Sequence, residues 1–166
     1  QRGLESIRNN RLRVLLVEDF HTLGLNGSDT DPNKSFRGLC KNTLQTDTDN
    51  ASGTSRGGSY GLGKSVLWSF SSLSTVFFLS RSTDRPDDLR VFGKSELAFH
   101  EVNGRDWSGL GFFGNELRNE HRRKAVSVFG EQADVFANVI HASLRNGTPI
   151  EEQLGTTVIV PGFVDP

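Results

Sequence analysis

The sequence has a single cysteine and lacks any long hydrophobic run. Because Cys40 is alone among the 166 residues, an internal disulfide is excluded, and no cysteines and histidines have the spacing of a zinc site. Apolar runs such as residues 76–79 are far shorter than the roughly 20 residues that a membrane-spanning helix needs. No basic start followed by an apolar stretch suggests a secretory leader. We therefore expect a soluble, cytoplasmic protein with no membrane partner.

The sequence also lacks an excess of charge of either sign. Nineteen basic residues against twenty acidic ones give a net charge of −1. No global field then draws the molecule to nucleic acid, and there is no clear nucleic-acid signal. The one basic cluster, residues 121–124, is more typical of a solvated face than of a phosphate-binding patch.

The order of the predicted elements indicates one α+β domain over residues 1–166. Helical spacing of apolar residues predicts helices over 62–73 and 133–144, and Asn103-Gly104 predicts a tight turn. Runs of β-branched and other apolar residues predict strands over 12–17, 75–79, 89–92, 96–102, 106–113 and 156–160. This order predicts a two-layer α/β sandwich, with a mixed, mostly antiparallel sheet and helices on one face.

Residues 26–59 are dominated by Gly, Ser, Thr, Asp and Asn, which predicts a long mobile loop. A short patch around Phe36, Leu39 and Leu44 has the spacing of one or two helical turns. Long loops in compact domains are often lids or binding segments, whereas plain disorder is the simpler interpretation. We interpret the segment as a lid over a ligand.

A glycine-rich segment, residues 58–65 (GSYGLGKS), leads into the first predicted helix. Its backbone N–H groups and the positive helix end suit phosphate oxygens. The segment also fits the P-loop pattern, yet residues 47–57 are polar throughout where a P-loop requires a buried strand. No downstream strand ends in the aspartate of a Walker B motif. A P-loop ATPase and a simple helix-capping turn remain the alternatives.

The first predicted strand ends at Glu18-Asp19 and so delivers a carboxylate to its C-terminal edge. Gly24, the polar segment, residues 58–65 and finally Gly155-Thr156-Thr157 follow in order. This order resembles the G1, G2 and G3 boxes of the Bergerat-fold (GHKL) ATPases, the group of gyrase, the heat-shock chaperone, histidine kinases and mismatch-repair ATPases. The resemblance covers residues 12–160.

The resemblance implies that the chain binds ATP. Asp19 would accept a hydrogen bond from the adenine amino group, and Thr156 or Thr157 would hold a water beside it. One charge-assisted bond of this kind distinguishes the donor of adenine from the acceptor of guanine. The remaining expected nucleotide contacts are Gly24, Gly58, Tyr60, Gly61, Leu62, Gly63, Lys64 and Ser65.

The sequence departs from the family pattern in two places. The usual G1 box has glycines two and four residues after the aspartate, whereas here His21 follows and the glycine is Gly24. The family helix that carries a Glu and a Mg²⁺-binding Asn should lie well upstream of Asp19, and 18 residues precede it. Glu5 and Asn9 have helical spacing, but the strand follows them closely. Mg²⁺ is expected with ATP, without an identified ligand, so either the chain is a fragment or these roles fall elsewhere.

We therefore expect an ATP-operated conformational switch, with hydrolysis as an open question. The phosphates would order the lid, and the closed lid would change how a protein partner or additional domains dock. The alternatives are a non-hydrolytic protein-interaction domain of the same fold and a P-loop NTPase that uses residues 58–65. Histidine kinase activity would need a phosphoacceptor helix pair, which this sequence lacks.

Overall fold

A computed structural model describes residues 8–9, 11–31, 34–41, 62–119, 122–140 and 150–164. Ten strands lie in this part of the chain. They are β1 Val14–Glu18, β2 Thr75–Ser82, β3 Arg85–Glu96, β4 His100–Val102, β5 Arg105–Trp107, β6 Leu110–Phe113, β7 Asn115–Asn119, β8 Arg122–Val126, β9 Val128–Phe129 and β10 Gly155–Pro161.

One antiparallel sheet of six strands organises the molecule. Its order is β1-β10-β2-β3-β6, and β9 also pairs with β3. The strands β4 and β5 form one separate hairpin, and β7 and β8 form another. Every one of these strand pairs is antiparallel.

The helices are short. They are a π-helical turn Arg37–Lys41, helix α1 Leu62–Ser69, helix α2 Glu131–Val139 and a 3₁₀ turn Ile150–Gln153. In the described ranges, no helix combines the length and the apolar character needed to span a bilayer.

The sheet is buried on both faces. Phe78 and Leu79 are neighbours in β2 but belong to different core clusters, because successive side chains of a strand point to opposite faces. We call the side of Phe78 the front face and the side of Leu79 the back face. The front cluster is Leu25, Phe36, Cys40, Trp68, Val76, Phe78, Phe92 and Val160. The back cluster is Leu79, Leu89, Val91, Val128, Ala133, Ala137 and Ile159.

The predicted two-layer α/β sandwich with helices on one face is wrong. The fold is β-rich, its sheet is antiparallel rather than mixed, and its helices lie on both faces. Helix α1 packs on the front through Trp68, and α2 packs on the back through Ala133 and Ala137. Helical periodicity indicates that a helix has one apolar face, but it does not indicate which side of a sheet that face covers. The nearly continuous burial of β2 and β10 is the feature of strands covered on both sides.

Several local predictions are confirmed. The predicted strands at 12–17, 75–79 and 156–160 correspond to β1, β2 and β10. Asn103 and Gly104 have φ values of 54° and 71°, which is the turn that an Asn-Gly pair favours in a hairpin. The predicted strand 106–113 is instead divided at Gly109, where a φ of 80° and the close carbonyl of Leu97 interrupt the strand.

The first part of the predicted lid lies against the front face. Phe36 and Cys40 are fully buried there, and the ring of Phe36 meets that of Phe92 edge to face at 5.4 Å. Residues 26–31 and 34–41 are thus packed on the sheet. Residues 42–59 lie outside the described part of the chain, and the lid stays a prediction.

Candidate functional site

Three strands meet at the edge of the sheet where the first predicted strand ends. In the register of β10, Thr157 lies opposite Glu18 and Thr156 lies opposite Ser80 of β2. The pairing continues one residue past β1, because the backbone N–H of Asp19 donates to the carbonyl of Thr156 at 2.9 Å. Asp19, Thr156 and Ser80 therefore stand side by side, and we call them the polar row.

An apolar row borders the polar row on the front face. Leu15 packs on the front cluster, so alternation along β1 places Val17 on the same side. Val17 lies opposite Val158, and Val158 lies opposite Phe78. Phe78 is buried, whereas Val17 is 49% exposed. The front face thus has an accessible apolar surface next to Asp19.

The carboxylate of Asp19 is held in place while the residue stays exposed to solvent. Its Oδ1 accepts a hydrogen bond from the backbone N–H of Thr156 at 2.5 Å and another from the hydroxyl of Thr22 at 3.1 Å. These bonds orient a charged acceptor before any ligand arrives. A ligand that offers an N–H donor could use it without a rearrangement of the backbone.

Gly155 is the residue that allows Asp19 to come close to the N–H of Thr156. Its φ of 142° is rarely adopted by other residues, and a Cβ at this position would overlap the backbone carbonyl oxygen of Asp19 and lie 2.6 Å from its Oδ1. Any side chain would push Asp19 away from Thr156. Sequence reasoning noted Gly155 only as part of a motif, and the signal for its role was a glycine at the start of an apolar strand.

The backbone at Gly24 also lies close to this edge. Gly24 has a φ of 65°, and a Cβ there would lie 2.5 Å from the carbonyl oxygen of Arg81. The next residue, Leu25, donates its N–H to the hydroxyl of Ser80 at 2.8 Å, and that hydroxyl donates to the carbonyl of Gly155 at 2.9 Å. Ser80 is 1% exposed and joins two distant segments. No sequence signal singled out this serine within an apolar strand.

The two threonines of the last strand lie on opposite faces. Thr156 belongs to the polar row on the front, whereas Thr157 is fully buried on the back, where its hydroxyl donates to Glu18 Oε1 at 2.7 Å. The structure therefore brings Asp19, Gly24 and Thr156 together and directs Thr157 away from them.

The remaining predicted contacts belong to the glycine-rich segment. Leu62, Gly63, Lys64 and Ser65 form the first half of α1, and Ser65 is exposed. Gly58, Tyr60 and Gly61 lie outside the described residues. Helix α1 shares the front face with the polar row, because the ring of Trp68 packs against that of Phe78 in a tilted arrangement, with centroids 6.1 Å apart.

Asp84 fastens the segment that follows Gly24. Its carboxylate accepts hydrogen bonds from the N–H of Gly27 at 2.7 Å and from the hydroxyl of Ser82 at 2.5 Å. Partial burial by itself would raise the pKa of Asp84. The bonds from Ser82 and Gly27 and the charge of Arg90 outweigh it, so the pKa is lowered from 3.8.

Asp84→Asn is expected to cost stability at neutral pH and to cost little in acid. A carboxyl whose pKa is lower in the folded state contributes stability that is present above its unfolded pKa, near 3.8, and is lost as the pH falls through the folded value. Urea unfolding of both proteins from pH 7 to pH 3 measures this. The curves should converge below about pH 4. Asp88→Asn is the control, because Asp88 forms an exposed ion pair at 3.5 Å with Arg85. A gap that is constant over the whole pH range would contradict the assignment.

Comparisons of the chain with protein-family models, curated proteins and solved structures gave no match. Within the described ranges, no group of three His, Cys, Asp or Glu residues is placed to hold a metal ion. The expected Mg²⁺ is accordingly assigned no ligand here.

Proposed function

We propose that this chain binds an adenine nucleotide at the edge formed by β1, β10 and β2. The observation that carries the proposal is the arrangement of Asp19, an exposed carboxylate held by the N–H of Thr156 beside an accessible apolar surface at Val17. These residues come from opposite ends of the chain. Their order along it, with residues 58–65 between them, resembles the motif order of the GHKL ATPases.

The polar and apolar rows have complementary tasks in this proposal. Val17 and Val158 offer an apolar surface to one face of the base, and Asp19 accepts a hydrogen bond from the exocyclic amino group. Guanine has a carbonyl oxygen at that position, which a carboxylate repels. Because the carboxylate is already oriented, its bond to adenine needs little reorganisation.

Residues 58–65 are proposed to hold the phosphates. The first turn of α1 supplies backbone N–H groups and a positive helix end, and Lys64 supplies a cation. Mg²⁺ is proposed to accompany the triphosphate. Recognition of adenine and binding of the phosphates are separable from hydrolysis. ATP can therefore bind even where the chain supplies no general base to activate water. Residues 34–41 are already packed on the front face. ATP would therefore order only the rest of the predicted lid, residues 42–59, and this ordering would change how a protein partner docks.

The described sheet favours this proposal over a P-loop NTPase. A P-loop connects a strand to a helix within a unit of parallel strands, whereas the described strand pairs are antiparallel. A non-hydrolytic interaction domain is the second candidate. It is supported by the exposed apolar side chains of Phe99, Trp107 and Leu110, which are 68%, 50% and 53% exposed. ATP turnover measured beside ATP affinity separates the two functions.

Asp19→Asn is expected to weaken ATP binding roughly 10- to 100-fold, the value of one hydrogen bond to a charged group. The amide retains an oxygen for Thr156 but loses the charge that favours the amino group of adenine. Calorimetric titration of the wild type and the variant with MgATP and MgGTP measures the effect. The wild type should prefer ATP, and the variant should lose most of that preference.

Glu18→Gln is the matched control, because Glu18 is the adjacent carboxylate and points to Thr157 on the back face. It should bind ATP as the wild type does. Equal affinity of the wild type for ATP and GTP would remove the proposed base contact. Lys64→Ala should weaken ATP binding modestly. If Lys64→Ala instead abolished ATP binding and Asp19→Asn left it unchanged, the P-loop alternative would be favoured.

A further inference from the structure

Arg90 is a buried cation on β3 that sequence reasoning did not connect with the site. It is 4% exposed. One guanidinium nitrogen donates to the carbonyl of Leu25 at 2.8 Å, and the other donates to the carbonyl of Gly27 at 2.6 Å. Both acceptors belong to the segment that immediately follows Gly24. Arg90 therefore bridges two carbonyls that are two residues apart in this segment.

Two aromatic rings enclose the guanidinium. It lies over the ring of Phe36 at 4.2 Å and near the ring of Phe129 at 5.1 Å. Burial lowers the pKa of Arg90, while the charges of Asp29 and Asp84 act in the opposite direction. Arginine keeps its charge in proteins, so this enclosure holds a planar cation in one orientation.

The segment held by Arg90 is connected to the polar row by consecutive hydrogen bonds. Leu25, whose carbonyl Arg90 binds, donates its own N–H to the hydroxyl of Ser80. Ser80 in turn donates to the carbonyl of Gly155. A Cβ on Gly155 would overlap Asp19, so the two residues are in tight contact. Ser80 and Gly155 thus form a continuous chain of contacts between Leu25 and Asp19.

We propose that Arg90 is a positioning residue for the nucleotide site. It fixes residues 24–27 and, through Ser80, the place of Gly155 against Asp19. The inference rests on the proposed function, because its measured consequence is nucleotide affinity. The positioning role also requires the planar shape of the guanidinium. A lysine would keep the charge but has a single ammonium group, which does not reproduce the planar fork that reaches both carbonyls.

The test compares Arg90→Lys and Arg90→Met with Lys94→Met. Lys94 is the matched control, because it is the other buried cation on the front side of β3, 3% exposed, and it binds Glu96 at 2.6 Å instead of residues 24–27. For each full chain, the Kd for MgATP and the unfolding temperature without ligand are measured. Titrations are run at a temperature where all variants are folded.

Both Arg90 variants should raise the Kd for MgATP roughly 10-fold or more, as expected when preorganisation is lost. Lys94→Met should lower the unfolding temperature by a similar amount and leave the Kd near that of the wild type. Amide hydrogen exchange at Leu25 and Gly27 gives a second readout, which should be faster in Arg90→Lys than in Lys94→Met. This readout serves if Arg90→Met does not fold.

Every other outcome overturns the positioning role of Arg90, and the last one overturns the proposed function as well. If the wild type binds MgATP and Arg90→Lys binds it equally well, the positioning role of Arg90 is wrong while the proposed function stands. If Lys94→Met weakens binding as much as the Arg90 variants do, the effect is one of general stability and the positioning role is again wrong. If the wild type itself binds no MgATP, both the proposed function and this inference fail.

Discussion

Gly155→Ala should abolish measurable ATP binding and lower the free energy of unfolding by about 2–4 kcal/mol, from backbone strain and steric overlap together. The added methyl group would meet both the backbone carbonyl oxygen and the carboxylate of Asp19, at a φ of 142° that alanine rarely adopts. Relief of the overlap requires Asp19 to move away from the N–H of Thr156. The base-recognising carboxylate would then lose its orientation. Urea unfolding and calorimetric titration with MgATP measure the two effects.

Gly104→Ala is the control for backbone strain alone. Gly104 also has a positive φ, 71°, but a Cβ there would meet no atom within 4 Å. Gly104→Ala should lower the free energy of unfolding by about 1 kcal/mol and leave ATP binding unchanged. If the two alanine variants proved equally stable and bound ATP equally well, the tight contact between Gly155 and Asp19 would have no functional meaning.

Phe36→Ala should destabilise the protein by about 3–5 kcal/mol, the usual cost of deleting a buried aromatic ring. Phe36 is fully buried, packs edge to face on Phe92, and forms one face of the enclosure around Arg90. Its removal leaves a cavity and uncovers a buried cation. Thermal and urea unfolding measure the loss.

Phe99→Ala provides the comparison, because Phe99 is 68% exposed. Its effect should stay within about 0.5 kcal/mol, as for most surface substitutions. A small effect of Phe36→Ala would mean that residues 34–41 are not packed on the front face. The anchoring of the segment after Gly24 would then need another explanation.

The buried cations of β3 show where the sequence pattern stops being informative. Apolar residues predicted a strand at 89–92, whereas β3 extends to Glu96 and buries both Arg90 and Lys94. A charged residue can be buried when partners meet most of its polar atoms. Here two carbonyls accept hydrogen bonds from the terminal nitrogens of Arg90, whose Nε has no partner among the described residues, and a carboxylate binds Lys94. The fold brings those partners to Arg90 and Lys94. Residue type alone predicts that both side chains are exposed, and this prediction is wrong because it cannot include the partners.

The β7–β8 hairpin was missed for a related reason. The run of basic residues at 121–124 predicts a solvated face and no strand. Arg123 and Lys124 are indeed exposed, and Arg118 and Arg123 share the carboxylate of Glu116. A hairpin with charged side chains has little of the apolar alternation from which strands are predicted.

The sequence by itself determined the local elements: the strands β1, β2 and β10, helix α1 and the turn at Asn103-Gly104. Each depends on preferences within a few residues, such as β-branched runs or the tolerance of Asn and Gly for positive φ. Tertiary structure alone decided which faces the helices cover, and that Thr156 rather than Thr157 meets Asp19. Adjacent residues of a strand point in opposite directions, so this choice follows from the register between β1 and β10, which joins residues 137 positions apart.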